Sequence, residues 1–421
     1  MNKVISLPVL VKINAFWIGL SFKWGAIHPI ILPALLINRI PDTQKNTYLG
    51  LMTFLGLIIA MVVQPFSGAL SDKWISRIGK RPPLILMGTI LDLVFLVILG
   101  WSKSFLGLLI GYVGLQISSN IAHGSAQGII PDYVPKTQLG KASGIKTLMG
   151  ALGVIVASIV IRFLLGSSRV NYPLIFFMIM LVTVLSVFIT IFQIIVDSRS
   201  STSERIEYKV KKRFNLRDQF RINFHEHIIY RWMIIERFVF LLGVYSIQQF
   251  AQYYIRDVIQ VNNPIQVTSG LMASIALSLV ILASISGWLT DKFGTKRLQI
   301  TSMIIMGIGC IALLFARTEQ ILFFVGIIVG AGTGLFLTSN WAFAIQITPE
   351  KEAGKYLGLT NFATAGSAAC ARLWGPLLDK FNGAWPGKWY GYSGMFVFSA
   401  FCALFSFFIL EKMTRGSKKM K

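Results

Sequence analysis

The chain has 421 residues, 54% of them hydrophobic and only 14% charged, and its mean hydropathy is +0.66. A water-facing globule of this length would carry roughly a quarter charged residues, so the composition excludes an ordinary soluble domain and points to the membrane class. The net charge of +23 would suit nucleic acid only if the basic residues formed one stripe, and their distribution excludes that.

The chain opens with MNKVISLPVLVKINAFW, where a short apolar stretch meets Lys12 and no small-residue cleavage site follows. The first long apolar run is therefore expected to remain as a membrane helix. A bilayer core takes about 20 apolar residues in helix, and helices pair their backbone groups internally. Twelve segments fit: 14–37, 48–70, 84–101, 105–130, 142–165, 172–196, 233–255, 267–289, 298–316, 321–347, 355–378 and 392–410. With the N-terminus inside, 27 of the 40 Lys and Arg fall in inner segments, 9 in outer ones and 4 within spans. That bias predicts cytoplasmic termini in a cell membrane, and it accounts for the high charge through topology and anionic lipid.

The longest inner segment, 199–231, is basic and partly amphipathic, and suits the inner leaflet. It divides the chain into two six-span halves, 1–198 and 232–421. HEH at His225–His227 has no Cys or third ligand nearby and reads as a solvated face rather than a metal site. Cys310, Cys370 and Cys402 all lie in apolar runs and read as small hydrophobes.

Between spans 2 and 3 stands GALSDKWISRIGKR (Gly68–Arg81), and between spans 8 and 9 GWLTDKFGTKR (Gly287–Arg297). VPKTQLGKASG (Val134–Gly144) also matches TPEKEAGKYLG (Thr348–Gly358), with Pro, Gly, Lys and Gly in register. Two motifs repeated in the same order imply two parallel six-helix repeats related by an axis along the membrane normal. With these motifs the chain resembles the major facilitator superfamily. QPFSGALSDKWISRIGKRPP (Gln64–Pro83), IPDYVPKTQLGKASG and RFVFLLGVYSIQQFAQYYIRDV are similar to its branch of glycoside–pentoside–hexuronide cation symporters and sucrose-type transporters. The resemblance implies an all-α membrane protein of twelve helices in two pseudo-symmetric bundles.

It also implies a conformational latch of Gly68, Asp72, Lys73, Gly79, Lys80 and Arg81, with Gly287, Asp291, Lys292, Gly294, Lys296 and Arg297. Gly68 and Gly287 are expected where another helix passes closely. Asp72 and Asp291 are expected to meet the starts of spans 11 and 5, near Lys355 and Lys141, where a helix N-terminus stabilises a carboxylate. Such contacts would hold one of two arrangements close in energy.

Spans 1, 4, 7 and 10 line the cavity in this superfamily. At about 100° per residue, span 1 gathers Asn14, Trp17, Ser21, Trp24 and His28 within about 80°, and span 4 gathers Gln116, Asn120, His123 and Gln127 within about 60°. Span 7 gathers Tyr245, Gln248, Gln249 and Gln252 within about 100°, and span 10 offers Thr333, Asn340 and Trp341. Amides donate and accept hydrogen bonds and rings stack on flat apolar faces, which suits a sugar or glycoside. Packing inside a helix bundle would also turn such groups inward.

Asp92 falls mid-span, where a charge costs about 2.5–3.5 kcal/mol on insertion scales. It is protonated, a proton site, or paired, with Lys23 a possible partner on the far side of span 1 from Asn14. His123 titrates near neutrality as a free side chain. It stands where sodium-coupled members of the branch have an acid, and span 2 has no acid, so a proton is expected as coupling ion rather than sodium. Glu236 and Arg237 are expected to form local ion pairs. Lys146 is expected to snorkel inward and Arg372 to reach outward; either one entering the cavity would argue for an anionic substrate.

No Walker A sequence, HExxH or nucleophile elbow is present, which disfavours a pump or enzyme, and no cofactor is implied. The expected activity is secondary transport of a small solute, most simply a sugar, by a monomer in contact with lipid. A drug/proton antiporter would carry a Gly-Pro-Gly-Gly-like patch in span 5 and an Arg in span 4, and neither is there. A lipid or lysolipid carrier, or a non-transporting receptor or scaffold, stays open.

Overall fold

A computed structural model describes residues 4–37, 39–74, 76, 78–164, 171–200, 228–348 and 353–419. HEH at 225–227 and most of the 199–231 linker lie outside the described residues. Among those described, the regular structure is helical throughout. Ten helical segments are long and apolar enough to cross a bilayer, and they coincide with spans 1–6, 8–10 and 12. Span 7 (Ile228–Tyr254) and span 11 (Ala353–Ala371, continued by Trp374–Ala384) are less apolar. Span 7 carries Glu236, Arg237 and three glutamines; span 11 is rich in Gly, Ala, Ser and Thr.

The residues group into two compact units, one of Met1–Ile27 with Leu55–Phe214, the other of His28–Phe54 with Asn215–Lys421. This differs from the sequence division, which left 28–54 with the first half. Polar contacts described below bind residues 42–47 to spans 7 and 11 within the second unit. The boundary crosses span 1 at a wide turn. Span 1 runs as Leu7–Ile13, Phe16–Ala26, a π-helical turn Ile27–Ile31, then Leu32–Ile37. Pro29 and Pro33 have no N–H to give, and a π turn is one way a helix absorbs such a break.

In the first unit a core of Leu10, Phe16, Trp17, Ile85, Ile129 and Ile191 joins spans 1, 3, 4 and 6. In the second, Phe240 of span 7 stacks on Phe336 of span 10 at 3.7 Å, and Tyr254 meets Tyr392 and Phe396 of span 12 edge-on. Large apolar side chains face outward on both, among them Phe66 and Phe163 on the first and Phe315, Phe324 and Phe408 on the second. Hydrocarbon solvates such faces and water does not. The protein is a multi-pass membrane protein.

Candidate functional site

In the first unit, spans 1, 4 and 5 bring four of the sequence-selected side chains together. Trp17 is buried, and His123 meets its ring edge-on at 5.2 Å between centroids. Lys146 Nζ stands 3.8 Å from the Trp17 ring centroid. It does not reach for the membrane surface as expected; the negative face of the indole competes for the ammonium. His123 Nε2 lies 3.2 Å from Gln64 Nε2 and 3.3 Å from Gln127 Nε2. One turn along span 4, Gln116 Nε2 donates to the Tyr112 hydroxyl at 2.7 Å, and Asn120 Nδ2 donates to the Gln116 carbonyl at 2.7 Å. Trp24 lies edge-on to Tyr112, and Ser21 faces span 5 at Gly150 and Gly153. Asn14 is fully buried; its Nδ2 donates to Leu10 O, while its Oδ1 has no hydrogen-bond partner among the described residues.

Asp92 is paired. One carboxylate oxygen accepts from Lys23 Nζ and the other from Ser118 Oγ at 2.5 Å, and both charged side chains are almost wholly buried. Beside them lies a cavity of about 10 Å³, lined by Thr89, Ser119, Thr183 and Ser186 among others. That is close to the least space a single water needs. The Ser119 hydroxyl is buried with no partner among the described residues.

In the second unit the centre of the polar face is Arg237, which the sequence reading assigned to a local ion pair. Its Nε donates to Thr364 Oγ1 at 2.9 Å and its Nη1 to Asn340 Oδ1 at 2.7 Å, and its guanidinium lies 5.9 Å from the Trp341 ring. It makes no ion pair among the described residues. Glu236, about 100° away around the helix, is fully buried, and neither of its oxygens has a hydrogen-bond partner among the described residues. Gln252, Gln249 Nε2 and Asn340 Nδ2 are likewise buried without partners there. Tyr245 feels the charges of both Arg237 and Arg372, and His28 feels that of Arg372. Gln248 is exposed, and Thr333 hydrogen-bonds back to Val329 O. His28 belongs to this unit, separated from Trp17, Ser21 and Trp24 by the unit boundary in span 1.

The repeated loops are built differently. Gly79 and Gly294 both take positive φ, +103° and +82°, which favours glycine over any residue with a Cβ. At Gly68 a Cβ would stand 3.3 Å from Gly124 O of span 4, a close helix crossing; at Gly287 nothing lies within 4 Å. Arg81 is buried and bonds Asp72 (2.5 Å), Asp132 (2.7 Å) and Ser71 (2.6 Å). Burial opposes its charge, but the hydrogen bonds and fields of Asp132 and Asp72 outweigh that and raise its hold on its proton. Its counterpart Arg297 is exposed, Lys292 lies over the Trp288 ring, and Lys296 pairs with Glu411 at 2.8 Å. Lys73 is exposed and Lys80 partly so. The side chains of Asp291 and Lys355 lie outside the described residues.

Residues 44–364 match the family described as MFS/sugar transport protein. The chain belongs to the major facilitator superfamily. It is 22% identical to the multidrug resistance protein MdtG of Escherichia coli O6:K15:H31 over 397 residues, 93% of this chain and 91% of that protein. It is 26% identical to the sucrose transport protein SUC3 of Arabidopsis thaliana over 178 residues, 37% of this chain and 29% of that one. Its fold is similar to that of a D-xylose–proton symporter at a TM-score of 0.71 and 16% identity, covering 95% of this chain and 97% of that one. The superfamily is one of transporters, not of enzymes.

This major facilitator chain carries one polar network that sequence reasoning missed. At the end of span 2 remote from Asp72, Lys45 Nζ bonds Asp257 Oδ1 at 2.9 Å, and Tyr392 donates to Asp257 Oδ2 at 2.8 Å. Asp379 accepts from Asn46 Nδ2 (2.8 Å) and from both the backbone N–H and the hydroxyl of Thr47 (2.7 Å each). Arg256 bonds Asp42 at 2.5 Å. Tyr253 donates to Pro33 O at 3.1 Å. The available signal was the gathering of Asp42, Lys45, Arg256, Asp257 and Asp379 at one end of spans otherwise poor in charge.

Proposed function

We propose that this major facilitator protein is a secondary active transporter of a small hydrogen-bonding solute, most simply a sugar or glycoside, working by alternating access. The observation that carries this reading is the set of buried amides on spans 7 and 10, Gln249, Gln252 and Asn340, that find no partner among the described residues. A buried polar atom left unpaired costs about 1–3 kcal/mol, so each of these amides favours a ligand or water that satisfies it. The similarity to a sucrose transporter over part of the chain supports a sugar. The whole-length similarity to MdtG favours a second reading, drug export, against which the amide-rich face weighs.

The transporter uses a proton rather than sodium, sits in the cell membrane with both termini cytoplasmic, and works as a monomer. Asp92 and His123 remain candidates for coupling. Glu236 joins them, because an ionised carboxylate with no donor inside a membrane is costly and a bound proton removes that cost. The experiment is uptake into proteoliposomes of labelled sugars, first with an imposed proton gradient and then with a sodium gradient. Proton-driven accumulation of a sugar is expected. Uptake of apolar cations with no sugar would favour the drug reading, and accumulation of an amphipathic lipid alone would favour a lipid carrier.

A further inference from the structure

We propose that the solute carries an anionic oxygen group, a carboxylate or a phosphate, and that Arg237 holds it. This rests on the transporter reading and narrows its substrate class.

The first ground is charge. Arg237 is buried in span 7 with no ion pair among the described residues, held instead by two neutral acceptors, Thr364 and Asn340. A buried guanidinium without a counter-charge is expensive, and neutral hydrogen bonds offset only part of that. The two bonds use Nε and Nη1, and they fix the plane of the fork. A planar, fixed fork is what bidentate recognition of carboxylate or phosphate needs.

The second ground is the surrounding chemistry. Asn340 Nδ2 is a buried donor with no partner, on the same side chain whose oxygen holds Arg237. Asn340 thus offers a free donor beside the guanidinium, and Trp341 closes one side of it with its ring 5.9 Å away. Glu236 lies in the field of Arg237 but makes no hydrogen bond or ion pair with it among the described residues.

The test uses the full chain in nanodiscs, with binding followed by tryptophan fluorescence and thermal shift. The probes are matched pairs: D-glucose against D-glucuronate and D-glucose 6-phosphate, and monoacylglycerol against lysophosphatidate. The first set reports a soluble anion and the second a lipid headgroup. At least one charged member is expected to bind about tenfold or more tighter than its neutral partner, as a desolvated charge pair allows. Arg237→Gln is expected to erase that preference. Arg237→Lys keeps the charge without the fork, so it should weaken the anion several-fold and leave the neutral partner unchanged; this variant decides the matter if Arg237→Gln does not fold. Equal binding of neutral and charged partners, no binding by any of the three anions, or a preference that survives either substitution intact would overturn the proposal. An anion that binds but is never accumulated in proteoliposomes would count against transport and leave this site standing. Accumulation of glucose with no preference for glucuronate would do the reverse.

Discussion

Lys45 and Asp257 are 212 residues apart in the chain and 2.9 Å apart in the structure, each side chain 5% exposed. Tyr392 bonds the other oxygen of Asp257, so the carboxylate is fully engaged and the ends of spans 2, 7 and 12 are tied by one group. Removing one member of a buried pair strands its partner, which typically costs about 3–5 kcal/mol, whereas removing both can be nearly neutral. Lys45→Met and Asp257→Leu are each expected to lower thermal stability in nanodiscs by several degrees, and the double variant to recover most of it. A double-mutant cycle showing no coupling would contradict the pairing.

Asp92 and Lys23 make a second such pair, and here stability and transport can be separated. Asp92→Asn leaves Lys23 buried without a counter-ion and is expected to destabilise strongly; adding Lys23→Met should restore folding. If Asp92 carries the coupled proton, the restored double variant will fold but lose proton-driven accumulation while keeping exchange of solute across the membrane. Accumulation at the parent level would assign the pair a purely structural role.

Gly124 and Gly287 separate a packing requirement from an inherited motif. A Cβ on Gly124 would stand 2.2 Å from Gln64 O, a backbone atom that cannot turn away, while one on Gly287 would meet nothing within 4 Å. Gly124→Ala is expected to cost about 1–3 kcal/mol by forcing spans 2 and 4 apart, and Gly287→Ala less than about 0.5 kcal/mol. Thermal unfolding of the two variants side by side checks this.

Arg81 and Arg297 occupy matching places in the repeat but differ in burial. Arg81→Ala removes contacts to Asp72, Asp132 and Ser71 and is expected to cost more than about 2 kcal/mol; Arg297→Ala should be almost silent. Asp72 is 57% exposed, so Asp72→Asn should change stability by less than about 1 kcal/mol. If Asp72 is a latch, the same variant will still slow transport severalfold and alter cysteine labelling along the polar faces. Unchanged labelling would leave it a solvent-exposed partner of Arg81.

The helices were legible because hydrocarbon imposes a length and a polarity on them, and the repeat because two motifs recur in order. The Asp92–Lys23 pair was half legible: helical phase turned Lys23 off the polar stripe, and a charge at mid-span demands a partner. Lys146 was misread because snorkelling rules weigh the ammonium against water and lipid and leave out a tryptophan face one helix away. Glu236 and Arg237 were expected to form local ion pairs, and among the described residues neither does; side by side on a helix they point about 100° apart. The network around Asp257 was overlooked because it joins ends of spans far apart in the chain, so that Asp257, at the close of the RFVFLLGVYSIQQFAQYYIRDV stretch, was not set beside Lys45, Asp42 and Asp379.

The two π turns, Ile27–Ile31 and Ile255–Ile259, each hold one residue more than an ordinary turn would. Because the wider turn absorbs that surplus, deleting a single residue from either would tighten it to regular pitch and leave the chain beyond close to its present facing, whereas a deletion one turn earlier, in regular helix, would swing it by about 100°. In span 1 the second kind of deletion would carry Pro33 away from the Tyr253 hydroxyl, and in span 7 it would carry Asp257 off Lys45. Spans 1 and 7 therefore each contain a slack turn that tolerates the loss of one residue where the neighbouring turns do not.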